Sequence, residues 1–454
     1  RRQRQMCIRD RRKTNDGYEA VATTENGTQT QKLTANDFTS VQEDGTVVVG
    51  VMVARKIGVK ITDIKFTTSE SKGLATSEVV EDKVTPSIRV YSSNTCGAGE
   101  YEYTVVPNCA GTLKVTGSAD GKAISKEVTA DEVVRIPVAV NVGSNTIKAE
   151  FEPAAAANIT STKTVASETN VTRKVYGEAG QTIIVTPDGK TTGDGTEESP
   201  LDINTAVSYA QPGQTIVVME GTYYLEKTVK VERGVNGTAD KPIQMVADTE
   251  ASSRPVFDFQ GLCAGMVLAG DYWYFQGFDV TNSANAQKGI QLSGKYNTMD
   301  NIMTYHNGNT GLQVSRYLTT DEFDMWPAYN LILNCTSYGN ADAGYEDADG
   351  FAAKLTVGDG NVFDGCISYN NADDGWDLFA KVQSGSIGAV TIKNSVAYGN
   401  GYLEDGTNAG NGNGFKLGGD SMSGKHVLEN CVAFDNKAKG IDSNSCPDIN
   451  VINC

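Results

Sequence analysis

The stretch YNNADDGWDLFAK, residues 369–381, places Asp373, Asp374 and Asp377 within five positions around Trp376. Carboxylates that crowded repel one another, so a chain that keeps them together offers a site to something positive. A second acidic turn, EDADG, sets Asp349 before Gly350. Oxygen ligands converging at short range suit Ca²⁺, and the absence of His and Cys in both stretches argues against zinc. The plain alternative is a pair of ordinary Asp-Gly turns. Which reading holds depends on whether the backbone brings the two stretches together.

The rest of the chain limits the possibilities. It has 454 residues with 48 Gly, 19 Tyr and only 21% charged residues, a profile of a turn-rich β protein rather than a helical one. The net charge of −17 argues against a nucleic-acid partner, and an acidic protein that holds an acidic polymer needs a bridging cation. The two histidines, His306 and His426, leave little for chemistry built on several imidazoles. No stretch approaches a membrane span.

From about residue 177 the sequence repeats. Asn334-Cys335-Thr336-Ser337-Tyr338-Gly339-Asn340 returns at 365–371, 394–400 and 430–436, with Thr304-Tyr305-His306-Asn307 as an earlier copy and Asn453-Cys454 beginning another. A glycine followed by an apolar residue comes after each copy, at Gly289, Gly311, Gly350, Gly375, Gly414 and Gly440. The steps are 22, 39, 25, 39 and 26 residues, a unit of one coil with two insertions of about 14 residues. Short strands and no helical period predict a parallel β-helix, its repeated Asn, Tyr and Cys forming stacked rows. Cys335, Cys366, Cys431 and Cys454 then read as buried thiols. A short amphipathic helix through Leu201, Ile203, Ala206 and Val207 is placed to cap the open end of the core.

The same register positions the chemistry. Two residues after the glycines come Ala352, Asp377, Lys416 and Asp442, neighbours at about the 4.8 Å spacing of adjacent strands. With Phe351, Trp376, Phe415 and Ile441 inside, alternation turns this row to solvent. Asp349, Asp373, Asp374 and Asp377 then converge from two coils beside Lys416, which favours calcium over plain turns.

EDADGFAAK, NNADDGWDLFAK and NGNGFKLGG, with their surroundings over 177–454, resemble polysaccharide lyase family 9. That resemblance implies a right-handed parallel β-helix and calcium-dependent β-elimination of pectic uronic-acid polymers, polygalacturonate foremost and rhamnogalacturonan as the alternative. It matches Asp349, Asp373, Asp374 and Asp377 to calcium ligands and Lys416 to the Brønsted base. The implied partner is an acidic plant cell-wall polysaccharide, and the implied protein is a monomer, secreted or on a bacterial surface. The chemistry is coherent: removing the C5 proton beside a carboxylate builds charge that a Lewis acid stabilises, and a nearby dication makes neutral lysine accessible. Two other classes remain. A β-helix hydrolase uses aspartates as acid and base without metal, and has no need of Lys416 beside Asp377. A calcium-stiffened glycan-binding adhesin would carry Lys416 as one more surface charge.

The insertions RYLTTDEFDMWPAY (316–329) and GNGYLEDGTNAGNG (399–412) are expected to border a groove, with Arg316, Lys354, Lys381 and Lys439 as candidates for pairing with substrate carboxylates. Upstream, residues 14–153 alternate short β-rich runs with Gly, Asn and Asp turns, the pattern of a β-sandwich without a catalytic constellation. Cys96 and Cys109 flank one strand, and a disulfide or two thiols fits equally. Residues 154–176, rich in Ala, Thr and Ser, read as a linker. Residues 1–13 read as a non-native leader, and the ending INVINC falls mid-repeat, so the β-helix is expected to be incomplete at its C-terminus.

Overall fold

The computed structural model describes the backbone of residues 9–14, 17–24 and 27–33, and all of residues 83–177 and 181–454. Two units emerge, Arg1–Val80 and Glu81–Cys454. In the first, Arg9–Thr14, Gly17–Thr24 and Gly27–Leu33 form an antiparallel three-stranded sheet, so part of the stretch read as leader lies in a strand. The runs at 46–54 and 61–68 lie outside the described residues.

The second unit begins with two antiparallel-rich sheets. One has five strands, among them Gly111–Thr116, Ile124–Val128 and Gly143–Pro153, and the other joins Ile88–Val90, Glu100–Pro107 and Val134–Ala139. Val134, Ile136 and Val138 are buried while Arg135 and Pro137 are exposed, the alternation of a sheet with one face on a core. That core gathers Tyr103, Val105, Leu113, Ile147 and Phe151. The expected linker is corrected here. Val165–Arg173, inside it, pairs with Gly143–Pro153 over nine residues from Phe151↔Val165 to Gly143↔Arg173. Its small β-branched residues alternate along a strand, which a reading by composition alone passes over. Cys96 and Cys109 are separate buried thiols.

Helix Ile203–Tyr209 follows, its N-terminus capped by Asp202, whose side chain accepts from the Thr205 N–H. Leu201, Ile203, Ala206 and Val207 are fully buried at the head of the long core that runs through the coils. Three parallel sheets of ten, eight and eight strands wrap that core, the first sheet starting with Thr182–Val185 ahead of the helix and each complete coil giving one strand to each sheet. The recurrent Asn and Gly have a backbone cause. From Trp273–Gln276 onward, the corner after each first-sheet strand is turned by one residue with positive φ: Gly277, Asn301, Asn334, Gly365, Asn394, Asn430 and Asn453, at 49–83°. Asn and Gly are the residues that tolerate that region.

Inside the coils, side chains of one kind stack. Asn307, Asn340, Asn371, Asn400 and Asn436 form a ladder in which each Nδ2 donates to the next Oδ1 at 2.8–3.0 Å. Each buried amide is thereby satisfied. Phe351, Trp376 and Phe415 stack at 4.9 and 4.8 Å in the core, and Tyr305, Tyr338, Tyr369 and Tyr398 stack at 4.8–5.1 Å outside it. Cys335, Cys366 and Cys431 are buried free thiols, with Ser395 taking the intervening place in the row, whereas Cys454, expected to be buried with them, is exposed. Gly350, Gly375 and Gly414 pass so close to the Asn ladder or the next coil that a Cβ would collide. Those contacts explain the repeated glycine.

Candidate functional site

Strands Phe351–Ala353, Trp376–Asp377 and Phe415–Lys416 lie side by side in the third sheet, with Ala352↔Asp377 and Asp377↔Lys416 in register. Each apolar partner enters the aromatic stack, so the next side chain points away from the core. The preceding glycines are also paired: Gly350 N–H donates to Asp374 O and Gly375 N–H to Asn413 O. Asp349, Asp374 and Asn413 thus stand in one row beside the Asp377–Lys416 row. The two acidic turns are one site.

The site is not the open surface expected from strand alternation. Asp349, Asp373, Asp374 and Asp377 are 0–3% exposed, and the Lys416 side chain is only 17% exposed. Alternation gave the direction correctly, but loops flanking the sheet cover the row. Residues 399–412 do much of this: Asn411 N–H donates to Asp373 Oδ1 at 2.8 Å and Gly410 N–H to Ala372 O. Lys437 Nζ holds the same loop by the carbonyls of Ala409 and Gly410. Glu404 pairs with His306 across it at 2.6 Å.

Asp349, Asp373 and Asp374 each present an oxygen within 4.8 Å of the others. Two lysines face the cluster. Lys354 Nζ reaches Asp349 Oδ2 at 2.7 Å and Asp377 Oδ2 at 3.0 Å. Lys416 Nζ lies 3.0 Å from Asp374 Oδ2 and 3.5 Å from Asp377 Oδ1. Those two carboxylate oxygens are buried and accept no well-formed hydrogen bond. Asp374 Oδ1, by contrast, receives both the N–H and the Nδ2 of Asn413 at 2.7 Å, and Thr310 donates to Asp349.

Four carboxylates against two ammonium groups leave a formal charge of −2 in a buried space. Burial and then Asp374 push the Asp373 carboxyl up to about 7. Burial also raises Asp349 and Asp374, against the opposing pull of Lys354 and Lys416. For Lys416, burial favours the neutral amine, but Asp377, Asp374 and Asp349 together outweigh it and hold the ammonium well above its usual range. A hard dication fits this set. The donors are all oxygen, the residual charge matches, and buried carboxylate oxygens lack donors.

The other expected residues separate. Lys354 is part of the cluster. Lys439 pairs with Asp442 at 2.7 Å beside it. Arg316 offers its backbone to Thr356 and Gln291, and Lys381 sits on a small turn closed at Gly385; neither side chain joins the cluster. The first insertion has a packing role. Its Met325 packs on Tyr91 and Val106 of the sandwich, and Asp321 takes a two-pronged bond from Arg233. Asn411, Asn413 and Thr310 were not singled out from sequence. Asn413 was legible, since it precedes Gly414 as Asp349 and Asp374 precede theirs.

Comparison with known proteins places this geometry. The profile described as the Pel9A-like, right handed beta helix region matches residues 183–454, and that of the pectate disaccharide-lyase central Ig-like domain matches 89–174. Pectate lyase L of Thermoclostridium stercorarium is 38% identical over 420 residues, 92% of this chain and 34% of that protein. Pectate disaccharide-lyase of Dickeya chrysanthemi is 29% identical over 441 residues, 96% of this chain and 54% of that protein. The chain therefore spans between a third and three-fifths of the curated relatives it matches first. The crystal structure of pectate lyase Pel9A is 33% identical and superposes with a TM-score of 0.52, covering 60% of this chain and 68% of that one. With three-fifths of its length matched and its parallel coils in the same architecture, this chain belongs to the Pel9A-like right-handed β-helix family.

Proposed function

We propose that the protein is a calcium-dependent polysaccharide lyase that cleaves polygalacturonate by β-elimination, acting outside the cell on pectic polymer. The carrying observation is the register of Asp377 with Lys416 beside the buried Asp349, Asp373 and Asp374. The relatives named as pectate lyases support the substrate class.

Asp349, Asp373, Asp374 and Asp377 would hold the cation, whose chemistry when bound is to neutralise a uronate carboxylate and stabilise charge developing next to C5. Lys416 takes the C5 proton at Nζ. The carboxylates that keep this ammonium charged are the ones a dication would occupy; once their field is offset, burial of Lys416 favours the neutral amine. Asn413 fixes Asp374 by two bonds to one oxygen and leaves the other facing Lys416. Asn411 and the 399–412 loop keep water from the row. The electron pair left at C5 forms the C4–C5 double bond as the C4 glycosidic oxygen departs.

The test is incubation with polygalacturonate and rhamnogalacturonan separately, with Ca²⁺ and with chelator, following ultraviolet absorbance of the unsaturated uronide. Ca²⁺-dependent absorbance on polygalacturonate is expected, and the same on rhamnogalacturonan alone would move the substrate. Saturated products in chelator would indicate a hydrolase, and binding without cleavage an adhesin.

A further inference from the structure

The row holding Asp349 and Asp374 continues in both directions. Lys288, Thr310, Asp349, Asp374, Asn413 and Lys439 occupy one position in successive coils, each carbonyl accepting at 2.8–3.1 Å from a glycine of the coil before. The acceptors pair in order with Gly265, Gly289, Gly311, Gly350, Gly375 and Gly414. Thr310 and Asn413 donate to the cluster. Lys288 and Lys439 flank these polar residues, one on each side.

Those lysines differ. Lys439 is exposed and satisfied by Asp442 at 2.7 Å. Lys288 is half-buried, and its side chain has no hydrogen bond or ion pair among the described residues. Burial disfavours its charge, the neighbouring Lys354 disfavours it further, and Asp347 alone opposes them. An ammonium left so is costly unless an anion from outside completes it. Its place is two coils from Asp349, about 10 Å along the stack at the usual strand spacing. A 1,4-linked pyranose chain lying along the row presents a carboxylate at that separation from a sugar at the metal cluster.

We propose that Lys288 forms a carboxylate-binding subsite for a uronate residue on the N-terminal side of the Asp349–Asp374 cluster. This rests on the lyase reading above. The subsite makes the anchor a charge on the polymer rather than a hydroxyl pattern. It predicts that unesterified polymer is preferred beyond the reacting sugar.

The test is Lys288→Gln and Lys288→Arg in the full chain. With Ca²⁺ present, Lys288→Gln should raise KM for oligogalacturonates about tenfold with kcat within about twofold, the mark of lost uniform binding. Lys288→Arg should recover most of it. The difference should vanish on oligomers methyl-esterified only beyond the reacting sugar, which keep the carboxylate at the metal cluster and lack the charge that Lys288 would meet. Calorimetric titration of oligogalacturonate into Lys416→Ala, with and without Lys288→Gln, measures the same tenfold without turnover. Melting temperature should be unchanged or slightly raised by Lys288→Gln, since it removes an unpaired charge. If the parent enzyme cleaves polygalacturonate but Lys288→Gln changes neither KM nor affinity, the subsite is wrong and the lyase reading stands. If the parent neither binds nor cleaves polyuronate, both fall.

Discussion

Lys416 pairs in register with Asp377 on the neighbouring coil, and its Nζ lies 3.5 Å from Asp377 Oδ1 while reaching Asp374 Oδ2 at 3.0 Å. One lysine thus answers to two carboxylates from a single acidic turn. Its proton is held by the groups that would bind metal, so cation binding there would be coupled to the protonation of Lys416.

That coupling separates base from ligand. Lys416→Ala should reduce lyase turnover by about 10²–10⁴-fold, the range for losing a positioned base. Ca²⁺ affinity should hold or rise, because Asp374 and Asp377 lose a competing cation. Asp374→Ala should instead weaken Ca²⁺ binding, with activity partly restored at high Ca²⁺. Absorbance assays and Ca²⁺ calorimetry on the same variants check both, and near-normal turnover in Lys416→Ala would remove it as the base.

Lys354 should behave as an internal counter-ion. Its ammonium bonds Asp349 and Asp377 in a buried setting, so Lys354→Met leaves those carboxylates uncompensated. Breaking a buried pair typically costs about 3–5 kcal/mol. The melting temperature in chelator should therefore drop by several degrees, and saturating Ca²⁺ should recover most of the loss. Equal destabilisation with and without Ca²⁺ would mean that Lys354 acts through packing alone.

The carboxylates also predict how metal-free stability responds to pH. Asp373 binds its proton up to about pH 7 in the folded chain, against the usual carboxylate range when unfolded, and Asp349 and Asp374 are raised too. Between about pH 4 and 7 the folded state holds more protons, so these groups favour folding at the acid end and cost stability as pH rises. The stabilisation given by Ca²⁺, read as the shift in melting temperature, should be larger at pH 7.5 than at pH 5. A shift that shrinks with rising pH would contradict the raised carboxyls.

Much of this was readable from residue order because a β-helix turns sequence spacing into spatial rows. The glycine steps placed Asp377 against Lys416 and grouped the acidic turns, and the Asn and Tyr repeats became the ladders. What spacing could not give is burial. Alternation assigned Asp377 an outward direction, but whether an outward side chain meets solvent depends on how the 399–412 loop folds back, and that loop is fixed by contacts from Lys437 and Asp373 distant in sequence. The strand Val165–Arg173 was hidden for a related reason: its apolar content is low, and its place comes from pairing with Gly143–Pro153. Lys288 and Asn413 stood in the register all along, and only their neighbours distinguish them from solvated polar residues.

The last prediction concerns His426, which takes the place of the asparagines in another row. Asn330 and Asn361 accept backbone N–H bonds from the coil before, and His426 Nδ1 accepts from Val390 N–H at 3.2 Å. An accepting Nδ1 must be unprotonated. Burial, only partly opposed by Asp448, lowers the His426 pKa to about 4. The unfolded imidazole titrates near 6.5, so the stabilisation is fully present above that value and is lost as pH falls toward 4. The loss amounts to about 3 kcal/mol at the acid end. His426→Asn keeps an acceptor for Val390 but cannot titrate. In Ca²⁺-free buffer, where the raised carboxyls act in the opposite sense, denaturant unfolding of both proteins from pH 7 to pH 4 isolates the histidine as the difference between them. The parent should lose about 3 kcal/mol more than His426→Asn across that interval. Parallel pH profiles would mean that His426 takes up its proton over the same pH range in the folded and unfolded chain and that the Val390 bond is not what holds this corner.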